Sequence, residues 1–129
     1  MRGMNLLEPE SLYDRIGGDY AVNAVVDSFY EKVLRDDRIR GYFDDISMNA
    51  QIGKLKSFLK MAFGDRSVYD AERLRSAHAP LVARGMGDIH VDILIEHMES
   101  TLKEQKVPNA LIEEAVTIIN GYRDDVLCR

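Results

Sequence analysis

Cysteine is all but missing from this chain: Cys128 stands alone, so no internal disulfide can brace the fold. A lone thiol beside six methionines fits a reducing compartment. Long hydrophobic runs are missing as well. The most apolar stretch, Val107 to Ile119, is interrupted by Pro108, Asn109, Glu113 and Glu114, far short of the roughly twenty apolar residues of a membrane span. Met1 to Leu7 carries no apolar stretch of the secretory type. Clustered positive charge is lacking too: 17 Lys and Arg face 22 Asp and Glu, the net charge is -5, and the two signs are interleaved. A phosphate-binding surface needs a local excess of bases, so nucleic acid is excluded as a partner.

Catalytic signatures are equally sparse. Gly17-Gly18 and Gly85-Met86-Gly87 have neither the spacing nor the preceding strand of a phosphate loop. There is no Gly-x-Ser-x-Gly elbow, and Cys128 has no neighbouring histidine to activate it. His78, His90 and His97 are not spaced as a zinc pair on one helical turn, and the Asp-Asp pairs read as helix caps and solvated corners.

What remains is helical. With 129 residues, 46% hydrophobic and 30% charged, the chain suits one globular domain over 11–129 behind an extension at 1–10. A short helix is expected from Pro9, carrying Leu12 and Ile16 and stopped by Gly17-Gly18. Asp19 is placed to cap the next, where Val22, Val25, Val26, Phe29, Tyr30, Val33 and Leu34 form the best amphipathic stripe in the sequence. Tyr42-Phe43 fall in a short corner, and Asp44, Asp45 and Ser47 offer caps for a helix with Ile52, Leu55, Leu59, Ala62 and Phe63 inward, ending at Gly64. Periodicity lapses over 65–72. Leu74, Ala77, His78, Leu81 and Val82 then form a brief apolar face, which Pro80 predicts to be short or kinked. Asp88 is expected to cap a long helix with Val91, Leu94, Ile95, Met98 and Leu102 inward. Pro108 opens the last, with Leu111, Ile112, Ala115, Val116, Ile119 and Tyr122 inward, and Cys128 falls in a loose end.

On spacing alone His78 reads more readily as a core histidine than as a ligand. The whole set of motifs weighs the other way. Leu12-Tyr13-x-x-Ile16-Gly17-Gly18, Ala21-Val22-x-x-Val25-Val26-x-x-Phe29-Tyr30-x-x-Val33-Leu34, Tyr42-Phe43, Ala77-His78-x-x-Leu81 and His90-x-Asp92 occur in this order, and together they resemble the truncated haemoglobins of the first group, from about Ser11 onward.

The resemblance implies an all-α, two-over-two helical sandwich enclosing a non-covalent haem b. It implies that His78 is the proximal iron ligand, that Phe43 packs on the porphyrin, and that the Tyr30 hydroxyl points into the gas pocket. Read without the family, Phe43 and Tyr30 are ordinary core aromatics. Gln51, Lys54 and Leu55 share one helix face, which the alignment lays over the iron; otherwise Gln51 and Lys54 form a stripe edge that snorkels to water. Leu74 and His90 complete the expected haem contacts, with His90 near the propionates or else solvated at its helix start. His97 matches no functional position.

The chain also departs from the family pattern. Gly64-Asp65 and Tyr69-Asp70-Ala71 stand where the family has a glycine pair and Tyr-x-Gly, and His90-Val91-Asp92 lacks the usual aromatic. Glu72 replaces an arginine used on a propionate, leaving Arg73 or Arg75 as substitutes. Tyr122 lies near the position of a histidine that links covalently in some members, so that link is expected to be absent.

The implied ligands are oxygen, nitric oxide and carbon monoxide. Tyr30 with Gln51 supplies two donors that stabilise negative charge on bound oxygen, which fits a nitric oxide dioxygenase served by an unidentified reductase. Lys54 is expected as an endogenous iron ligand opposite His78. The alternative function is a six-coordinate electron-transfer or redox-sensing haem protein, and beyond it a haem-free helical interaction module. A monomer in the cytoplasm or an organelle is expected, with no membrane partner.

Overall fold

The computed structural model describes residues 10–129; residues 1–9, including Pro9 and nearly all of the expected extension, lie outside the described residues. Helix α1 spans Leu12–Ile16, and Ser11 begins it by accepting the Asp14 N–H on its hydroxyl at 3.1 Å. Gly17 then turns the chain with φ +130°. A Cβ there would stand 2.7 Å from that of Ala21, so both conformation and space demand glycine. Helix α2, Gly18–Leu34, starts directly from Gly17. Asp19 is therefore not the cap expected: it lies in the first turn, where its carboxylate accepts the Tyr13 hydroxyl. Burial and that carboxylate push Tyr13 up to about 12.

The stripe of α2 buries Val22, Val25, Val26, Phe29, Tyr30 and Val33. Each such side chain contributes roughly 1.5–3 kcal/mol over remaining in water, so this helix anchors the core. A 3-10 turn at Arg40–Phe43 leads to α3, Met48–Phe63, which Ser47 caps by accepting from the Ala50 N–H. Gly64 ends it and a second 3-10 turn, Arg66–Val68, follows.

Helix α4, Ala71–Ala83, is capped by Asp70, whose carboxylate accepts the Arg73 N–H at 3.0 Å. It runs 13 residues, longer than Pro80 led us to expect. The proline sits in the final turn, and the carbonyl it deprives belongs to Ser76, an exposed residue. Helix α5, Asp88–Glu104, is entered from Gly87 rather than capped by Asp88, whose carboxylate instead binds Arg123 and Arg129. Helix α6, Asn109–Asn120, follows Pro108. It stops before Tyr122, and a separate short helix, α7 at Arg123–Val126, succeeds it. The chain past α7 is tied down: the Cys128 thiol donates to the Arg75 carbonyl, and the Arg129 guanidinium binds Asp88 and Asp124.

Two helical pairs, α2 with α3 and α5 with α6, lie over one another through α2–α5 and α3–α6 contacts, with α1 wedged against α2, α3 and α6. Among the described residues there are no strands, and no helix is long and apolar enough to cross a membrane. Val26, Val33, Ile39, Leu59, Ala62, Leu102 and Ala115 form the most deeply buried layer. The buried polar Thr101 is satisfied by donating to the His97 carbonyl at 2.8 Å.

Candidate functional site

Helix α4 does not behave like its neighbours. Leu74, His78, Leu81 and Val82 repeat at helical spacing, yet no residue of α4 is fully buried. Its principal packing partner is the short α7, not α2 or α3. A helix with an apolar stripe normally covers it with protein. Across the fold, Ile52, Leu55, Phe58 and Met61 on α3 are likewise only half covered. Two incompletely covered apolar faces offer contacts to an apolar group that is not part of the chain.

The histidines are prepared differently. His78 Nδ1 lies 2.8 Å from the Leu74 carbonyl, which can only accept, so Nδ1 carries a proton and in the neutral ring Nε2 presents a lone pair. This is the tautomer that a metal-binding imidazole adopts when a carbonyl orients it. Among the described residues no three His, Cys, Asp or Glu gather as a protein-only metal site. A single imidazole with a free Nε2 therefore fits a metal already held by other donors. His90 is the opposite case. Its Nδ1 accepts the Gly87 N–H at 3.0 Å, so in the neutral ring Nε2 carries the proton and can donate to a carboxylate. His97 is taken up by Asp36, 2.6 Å away. Asp36 is also held bidentately by Arg38, which keeps its carboxyl well below the usual range.

Tyr30 and Gln51 come together from α2 and α3. Gln51 Nε2 donates to the Tyr30 hydroxyl at 3.1 Å, and Tyr30 is only 4% exposed. Phe43 and Phe29 each cross Tyr30 edge to face, at 5.9 and 5.1 Å. Because the phenol oxygen accepts from Gln51, its own proton is free, and no acceptor for it exists among the described residues. Burial pushes the Tyr30 hydroxyl above its usual range while the Gln51 amide pulls the other way, so it stays protonated and able to donate at neutral pH.

Other residues named from the sequence are dispersed. Lys54 is exposed on α3 and has no ion-pair or hydrogen-bond partner among the described residues, and Leu55 beside it is half-buried. No hydrogen bond or ring contact joins His78 to Tyr30, Gln51 or Lys54. Of the two arginines proposed to replace the one lost at Glu72, Arg75 is engaged by Asp125 at 3.2 Å, and Arg73 is exposed without a side-chain partner. Tyr42 is a residue to which sequence reasoning gave no role. It stacks edge to face on His90 at 5.1 Å, with the Arg84 guanidinium 5.1 Å over its ring and bonded to the Gly41 carbonyl. The aromatic doublet with Phe43 was its only signal.

Comparison with known proteins bears on these faces. The model of the bacterial-like globin family matches residues 11–128. The group 1 truncated haemoglobin of Synechocystis is 42% identical over 120 residues, which cover 91% of this chain and 97% of that one. The group 1 truncated haemoglobin of Tetrahymena pyriformis is 34% identical, covering 93% and 97%. Among solved structures, the 2/2 haemoglobin of Synechococcus in the cyanomet state, with covalently attached haem, superposes with a TM-score of 0.87 at 39% identity, covering 93% of this chain and all of that one.

Proposed function

The chain belongs to the group 1 truncated haemoglobins of the bacterial-like globin family, which bind haem, and on that premise we propose that it holds a non-covalent haem b and uses oxygen to convert nitric oxide to nitrate. In this reading His78 Nε2 is the fixed iron ligand, with its ring oriented by the Leu74 carbonyl. Haem, when bound, supplies the iron site for a diatomic gas, and a separate reductase restores the electron that the oxidation consumes. Phe43, Leu55 and Leu74 are the apolar contacts of the ring, and His90 Nε2 donates to a carboxylate at its edge. Tyr122 offers no imidazole for a covalent link.

The observation that carries the proposal is the uncommitted Tyr30 proton. A buried hydroxyl that takes one hydrogen bond from Gln51 and has no acceptor for its own proton among the described residues is preorganised to donate to a small guest. Gln51 fixes the phenol's rotation, and burial keeps the proton in place at neutral pH. Rapid mixing of the oxygenated protein with nitric oxide should yield nitrate stoichiometrically. No nitrate on mixing refutes the dioxygenase assignment.

A second reading, electron transfer or redox sensing, is favoured by Lys54. It stands one turn from Gln51 with no competing carboxylate, so its amine is at liberty to occupy the iron after losing its proton. Carbon monoxide binding to the ferrous form would then be slow and limited by displacement of the amine, whereas an open site binds at a rate proportional to gas concentration.

A further inference from the structure

Helix α4 lacks a fully buried residue, packs mainly on α7 and carries Pro80 in its last turn, so something other than its own core must fix where His78 stands. The contacts that do so converge at its beginning. Just ahead of the helix, the Tyr69 hydroxyl donates to Asp125 at 2.5 Å, and the Tyr69 ring crosses Tyr122 at 4.9 Å. One turn into the helix, Arg75 Nη1 donates to Asp125 and to the Arg129 carbonyl, each at 3.2 Å. The Arg75 carbonyl in turn accepts the Cys128 thiol at 3.3 Å. Asp125 is therefore shared by two points on the α4 segment, and hydrogen bonds from Tyr69 and Arg75 hold its carboxyl below the usual range. Leu127, buried beside these contacts in the chain, secures the segment to the core.

We propose that residues 123–129 are a latch that positions His78, with Asp125 as its central positioning residue. The Leu74 carbonyl that orients the His78 ring is adjacent in the chain to Arg75, whose guanidinium and carbonyl are both held by the latch. A shift of the backbone at 74–75 therefore turns the imidazole directly. The Arg75 and Asp125 side chains are each about one-third exposed, so solvent screens their attraction, and the network serves to fix position more than to add stability. One attachment point just ahead of the 13-residue helix, at Tyr69, and one a turn into it, at Arg75, define its rotation as well as its distance.

The inference rests on His78 being the iron ligand, and its test separates the two claims. Asp125→Ala is compared with Glu114→Gln, which breaks a bidentate pair to Arg15 of similar exposure between α1 and α6. In the holoprotein, haem transfer to excess apomyoglobin should accelerate about tenfold for Asp125→Ala, and the iron–imidazole stretching band of the ferrous form should shift or broaden. Glu114→Gln should change neither, and Asp125→Glu should restore most of the wild-type behaviour. Haem loss within twofold of wild type for Asp125→Ala, or equal acceleration by Glu114→Gln, overturns the latch. Amide hydrogen exchange on the protein as purified should rise across 71–83 in Asp125→Ala while 109–120 stays protected, and unchanged exchange also overturns it. If wild-type protein binds no haem, the ligand assignment fails, while the exchange comparison still decides whether the latch holds α4.

Discussion

Replacing Tyr30 by Phe removes one oxygen atom from the middle of the distal cluster and leaves the ring, so the edge-to-face contacts with Phe29 and Phe43 at 5.1 and 5.9 Å survive. The protein should therefore fold. Gln51 loses its acceptor, but it is only half-buried and can take water instead, which limits the stability change to about 1 kcal/mol or less. The gas site loses more. A buried hydroxyl donating to a partner that carries charge contributes about 1.5–3 kcal/mol, and each 1.36 kcal/mol is a factor of ten in rate. Oxygen dissociation should accelerate by about tenfold to a hundredfold, measured by stopped-flow displacement with carbon monoxide. Carbon monoxide, which develops far less negative charge, should leave at nearly the wild-type rate. Gln51→Leu should produce a smaller increase, and the double variant should fall short of the product of the two, because Gln51 acts by holding Tyr30. Since burial raises the Tyr30 hydroxyl above its usual range, the wild-type oxygen rate should be flat with pH from neutrality to at least about 10. An oxygen off-rate in Tyr30→Phe within twofold of wild type refutes the donor role and returns Tyr30 to the core.

Further outcomes follow from the other residues. His78→Ala should lose haem on gel filtration and recover binding with added imidazole, since the side chain's contribution is the Nε2 lone pair; full retention in the mutant refutes the ligand assignment. On the second reading, with the Lys54 amine on the iron, ferric wild-type protein should be low-spin near neutrality and Lys54→Ala high-spin; a low-spin spectrum in the alanine variant leaves Lys54 on the surface. Arg129 and Arg123 hold Asp88 down to about 2, so its pairing supports the fold above about pH 4 and is lost as pH falls toward 2; thermal melts of Asp88→Asn should lie below wild type at pH 5 and converge with it near pH 2.

The amphipathic stripe of α2 apart from the exposed Leu34, the end of α3 at Gly64 and the turn at Gly17 were legible in the sequence, and Ser47 was one of three caps it offered for α3, because each depends on residues within a few positions of one another. The family resemblance was legible for the same reason, as short motifs in a fixed order over 11–128. Boundaries decided by distant partners were not legible. Asp19 and Asp88 have the chemistry of caps, but Tyr13, Arg123 and Arg129 claim their carboxylates instead. Pro80 led to the expectation of a short or kinked α4; the helix is not short but runs on to Ala83, and the carbonyl the proline leaves bare belongs to the exposed Ser76.

For the site, the sequence by itself determined the residue types: an imidazole at 78, a phenol at 30 and an amide one helical turn before Lys54. Only the tertiary structure decided their protonation and orientation. The Leu74 carbonyl fixes His78 with Nε2 bare, Gly87 fixes His90 in the reverse tautomer, and Gln51 occupies the acceptor side of Tyr30 while leaving its proton free. A tautomer is set by whichever donor or acceptor lies within about 3 Å in space, and periodicity along the chain carries no record of that. The hold of α7 on the helix that bears His78 is of the same kind, joining residues about fifty positions apart through one carboxylate.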